Sequence, residues 1–142
     1  MMQTRAYQIW RGAVILYLGG MLYSGVELLW RGRTHGSMFL LGGLCFALIG
    51  GLDRKYHLPV LGQMLLGTVL VTALEFGTGL LVNRVLHLNV WDYSRSPLNL
   101  LGQICLPYSL LWFPLCGAAI FAEDALRHWL FREPYPQYHW VI

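Results

Sequence analysis

Four long apolar blocks, set apart by short charged stretches, leave this chain few ways to fold. They cover residues 9–30, 37–52, 58–82 and 98–122. A helix needs about 20 apolar residues to cross the ~30 Å hydrocarbon layer of a bilayer. That layer admits only elements that satisfy their own backbone polar groups, which means helices or closed barrels. The pattern predicts an all-α, polytopic integral membrane protein, a single membrane domain over residues 1–142 with four transmembrane helices. Residues 123–142, which alternate charges with Trp129, Phe131, Tyr135, Tyr138 and Trp140, read as a short helix plus an extended tail at the headgroups. Charged residues make up 12% of the chain against about 25% in soluble proteins, which agrees with this class.

The remaining composition narrows the partners. A net charge of +3 spread over several loops fits orientation and lipid headgroups and gives no reason to expect nucleic acid. Arg5, Arg11, Arg54, Lys55, Arg127 and Arg132 fall on one side of a four-span topology, and Arg31, Arg33, Arg84 and Arg95 on the other. This imbalance places both termini in the cytoplasm and the chain in the inner (plasma) membrane as a multi-pass protein. The first block is too long for a signal-peptide core, and no small-residue cleavage site follows it, so no cleaved leader is expected. Cys45, Cys105 and Cys116 are odd in number and lie in apolar blocks, so they read as packing residues. His35, His57, His87, His128 and His139 show no metal-ligand spacing; neither a metal nor a cofactor is expected.

Polar chemistry concentrates between Glu75 and Trp112. Glu75 stands inside an apolar block, where an acid is costly and calls for a reason. Trp91, Asp92, Tyr93 and Ser94 place an aromatic, a carboxylate and two hydroxyls in four residues. Ser96-Pro97 reads as a helix start, with serine capping and proline in the first helical position. On that reading Asn99 and Gln103 share a face of the fourth helix, and Pro107 and Pro114 each kink it. The four-span topology brings Glu27, Glu75 and residues 91–99 toward the same membrane face. Gly43, Ala47 and Gly51 form a small-residue stripe on the second block, a seam for a neighbouring helix. It also offers a face for a homo-oligomer or another membrane subunit.

A faint repeat accompanies this. LLGGLCF at 40–46 echoes LLGQICL at 100–106, and GGMLYSGVE at 19–27 lies on GTVLVTALE at 67–75. A duplicated two-helix hairpin, its second copy carrying the inserted polar segment, would produce such a pattern.

Glu75, Gly79, the block Trp91-Asp92-Tyr93-Ser94, Pro97, Asn99, Gly102 and Trp112 resemble the pattern of small bacterial integral membrane proteins grouped as "Putative ABC-transporter type IV". The likeness is close over residues 67–112 and loose over the first two blocks. It implies a membrane-embedded transport component. The chain has no phosphate-binding GxxxxGK[ST] loop, so any ATP hydrolysis would belong to an ATPase partner.

Each candidate residue has two readings. Glu75 can carry a proton or bind substrate, or it can lock helices together through hydrogen bonds to Thr72 or Trp91. Asp92 can bind a cation or amine, or can cap a helix or pair with Arg84 or Arg95. Trp91, Tyr93 and Trp112 can cage a cationic headgroup or anchor at the interface. Ser94 contributes a hydroxyl beside them. Asn99 and Gln103 can hold a solute or bridge spans. Neither a GxSxG elbow nor an HExxH pair is present. An intramembrane enzyme acting on a lipid, with Glu75 and Asp92 as its acid and base, stays open beside a transport component and a structural or regulatory subunit.

Overall fold

The computed structural model describes residues 4–52, 58–135, 138 and 140. Arg54, Lys55, His57 and His139, used above for orientation and metal spacing, lie outside them. Helix α1 spans Arg5–Arg31 and α2 spans Gly36–Gly50. Helix α3 covers Val60–Gly79, continues as a π-helical segment over Leu80–Val85, and is followed by α4 at Leu106–Phe131. The ends follow from local chemistry. Thr4 caps α1 by accepting from the Tyr7 N–H at 3.2 Å, and Gly32 closes it in the left-handed region at φ 75°. His35 Nδ1 caps α2 by accepting from the Ser37 N–H. Pro59, fixed near φ −63°, precedes α3.

Among the described residues three helices, α1, α3 with its π continuation, and α4, are long and apolar enough to cross a bilayer. Helix α2 has 15 residues, about 22 Å at 1.5 Å per residue, and falls short of a full ~30 Å crossing.

The start of the fourth apolar helix differs from expectation. Residues 98–105 are not helical: Asn99–Leu100 (β1) pairs antiparallel with Ile104–Cys105 (β2), with Asn99 opposite Cys105 and Leu100 opposite Ile104. Asn99 explains the change. Its amide donates to the carbonyls of Ser94 and Ser96 and its oxygen accepts from the Gly102 N–H at 3.1 Å. Such local side-chain bonds compete with helix formation. Helix α4 begins instead at Leu106, with Pro107 in its first turn, where a missing N–H costs nothing. Pro114 is the proline inside the helix. Asn99 and Gln103 therefore do not share a helix face. The helix also runs past residue 122 to Phe131, so the helical part of the expected tail is its continuation. The LLGQICL half of the repeat thus lies on the β1–β2 hairpin and the first residue of α4 while LLGGLCF lies in α2, and the echo does not extend to the backbone there.

The chain divides into two compact units. The first comprises Met1–His57 and Ala119–Gln137. Here α1 and α2 pack through small residues: a Cβ on Gly43 would stand 2.3 Å from the Leu16 carbonyl oxygen, so the backbones approach as only glycine allows. Glu27, buried near the end of α1, accepts from Arg31 and from the Thr34 hydroxyl at 3.3 Å. Glu123 and Asp124 are buried on α4. Arg127 pairs with Glu123 and, at 3.2 Å, with Glu133, which Arg11 also meets at 3.1 Å.

The second unit comprises Leu58–Ala118 and Tyr138–Ile142. Along α3 a four-residue repeat separates two faces. Gly67, Val71, Glu75 and Gly79 are buried, while Leu65, Val69, Leu81 and Val85 are exposed. An exposed stripe made wholly of aliphatic side chains is suited to lipid and not to water.

Candidate functional site: the Glu75 centre

Glu75 occupies the buried face of α3 and is only 2% exposed. The Tyr93 hydroxyl donates to Glu75 Oε1 at 3.1 Å, and the Trp112 indole N–H donates to Oε2 at 3.0 Å. One carboxylate thus joins α3, the polar loop and α4. A hydrogen bond of this kind contributes about 1 kcal/mol net. Its loss would leave a buried acceptor unsatisfied, which costs comparably. Tyr108 of α4 stacks on Tyr93 with ring centroids 5.1 Å apart and steadies the donor.

Behind this centre a second network fixes the loop. The Asn83 side-chain oxygen, on the π-helical segment, accepts from the backbone N–H groups of Val90 and Trp91 at 2.7 and 3.3 Å. Its amide donates to Gln103 Oε1 at 2.9 Å. The buried Trp91 indole in turn donates to the Gln103 carbonyl at 2.9 Å. Gly79 makes room for both: a Cβ there would lie 2.6 Å from Gln103 Oε1 and 3.0 Å from the Trp91 ring. Gln103 also donates to the Leu101 carbonyl, so its amide is spent on holding the turn.

Asp92, Ser94 and Asn99 form a separate, exposed turn. The Ser94 N–H donates to Asp92 Oδ1 at 2.9 Å, and the Tyr93 N–H donates to the Gly102 carbonyl at 2.8 Å. Hydrogen bonds from the Ser94 backbone and hydroxyl, with a smaller contribution from the Arg95 charge, hold the Asp92 carboxyl below its ordinary value of 3.8.

Of the residues singled out from sequence, Glu75, Tyr93 and Trp112 meet directly. Trp91 and Gln103 pair beside them, and Asp92, Ser94 and Asn99 shape the turn that presents Tyr93. Asn83 and Tyr108 were missed. Asn83 carried a usable signal, an amide closing an apolar run; Tyr108 carried none, since one tyrosine in an apolar helix is unremarkable. The buried acids Glu123 and Asp124 fall on the stretch that the sequence suggests is an interfacial tail, which α4 instead includes as far as Phe131.

No solved structure matches the chain. Its apolar helices and its family agree on a membrane protein related to ABC transporters. Residues 13–141 match the family described as "Putative ABC-transporter type IV", and the chain belongs to that family.

Proposed function

We propose that the protein is a membrane-embedded, transport-related component that engages a small or amphiphilic solute, or a proton, at Glu75. One observation carries this reading: an acid inside an apolar helix accepts hydrogen bonds from side chains on two other elements. A cation or proton arriving at that carboxylate would compete with the Tyr93 and Trp112 donors. Binding would then alter the tie between α3, the loop and α4, as a transport step requires. Trp91, Tyr93 and Trp112 supply apolar and aromatic walls, and Gln103 and Asn99 hold them in place. Helix α2, with the residues that flank it, serves as a fourth, shorter span across a locally thinned bilayer, both termini lie in the cytoplasm, and the chain acts in the plasma membrane as a homo-oligomer or beside another subunit. An ATPase partner supplies any ATP hydrolysis.

A second reading, a structural subunit whose carboxylate only locks helices, draws on the same two hydrogen bonds. The enzyme reading is weaker, because Asp92 is exposed and engaged by Ser94 while Glu75 is buried. Proteoliposomes holding a trapped pH dye, driven by a potassium diffusion potential, separate these readings. The proposal expects proton flux that Glu75→Gln abolishes while the variant stays folded by circular dichroism. Wild-type flux in folded Glu75→Gln would defeat it in favour of the lock.

A further inference from the structure

We propose that the loop between α3 and α4 is a membrane wedge, whose leucines 88, 98, 100 and 101 enter the acyl region of one leaflet. All four are exposed. Two of them are also placed where leucine is a poor choice: Leu98 and Leu101 take φ values of 53° and 54°, in the left-handed region that glycine and asparagine occupy with least strain. Leu98 is 75% exposed and Leu101 56%, so packing within the chain does not account for them. A polar or glycine residue would relieve both the strain and the contact with water. Lipid removes the second cost and makes a leucine there favourable.

The lipid is identified by continuity. The exposed aliphatic residues of α3 and its continuation, Leu65, Val69, Leu81 and Val85, are followed in the chain by the exposed Leu86 and Leu88, so apolar exposure carries over from a spanning helix into the start of the loop. Depth follows from the backbone. Irregular chain is not tolerated facing the hydrocarbon centre, so the loop lies at the boundary between headgroups and acyl chains. The exposed Arg84, ahead of Leu88, and Arg95, ahead of Leu98, suit that level. This inference rests on the chain's membrane class and does not depend on how Glu75 is used.

The test uses the full chain in nanodiscs of phosphatidylcholine and phosphatidylglycerol, with a bimane label on Leu98→Cys and, separately, on Leu100→Cys. The three native cysteines are buried, and the wild-type chain treated alike sets the background. Lipids brominated near the top of their acyl chains should quench the label at either position, while aqueous iodide should not. Quenching by iodide with none from the lipids would put the loop in water and overturn the proposal. Protection from both quenchers would mean that a second copy of the chain covers the leucines, and would overturn it equally. Two positions guard against one substitution failing to fold.

Discussion

At the scale of single residues, charge and hydrogen bonding set what each acid can do. Glu75 was legible in the sequence because a lone carboxylate in an apolar run stands out. Tyr93 and Trp112 stood out beside it, but their bonds to it did not: the sequence suggested Thr72 or Trp91, and Tyr93 is brought in by a turn that no periodicity announces. Asp92 is the titratable group whose behaviour can be foreseen. Ser94 holds its carboxyl below 3.8, so the charged form is favoured by folding. That contribution is present above the unfolded value and is lost as pH falls through the lower folded value. The thermal midpoint of the wild type in detergent should therefore drop more steeply below about pH 4 than that of Asp92→Asn. Parallel curves for the two proteins would show that the Ser94 bonds do not favour the charged carboxylate. The difference in midpoint is small, because the group is exposed and screened.

At the scale of elements, the proline-led helix start read at Ser96-Pro97 gives way to a second one at Leu106-Pro107, where the sequence suggested only a kink. The second wins because Asn99 and Gly102, with φ 73°, stabilise a turn that consumes the backbone groups a helix would use. The sequence signal for a start at Ser96 was sound as capping chemistry and failed against a stronger local competitor. Glycine on the α1–α2 seam invites a sharper test. In Gly43→Ala the added methyl meets the Leu16 carbonyl oxygen, and the helices must part. Overpacking of this kind costs about 1–3 kcal/mol. Gly25→Ala on α1 meets nothing within 4 Å, and alanine is the better helix former by up to about 1 kcal/mol. Thermal unfolding in detergent should thus move in opposite directions for the two variants. Equal midpoints would contradict the close approach at Gly43.

At the scale of the whole molecule, apolar length and low charge revealed the membrane class and three long helices, because those depend only on transfer free energies summed along the chain. The short α2 shows where that sum stops being decisive: its residues are as apolar as the others, yet Gly36 and Gly50 bound a helix of about 22 Å. The paired charges of Arg11, Arg127, Glu123 and Glu133 in the first unit stayed hidden for a related reason, since pairing is a property of the folded chain and not of any window of sequence. What the second unit adds is one acid that ties together a spanning helix, a loop and the start of another helix, and a double-mutant cycle on thermal unfolding tests that most directly. Tyr93→Phe and Trp112→Phe should each cost about 1–3 kcal/mol in the wild-type background and close to nothing once Glu75 is alanine. Losses that stay the same with and without the Glu75 carboxylate would mean that those donors do not serve it, and the site described here would not exist.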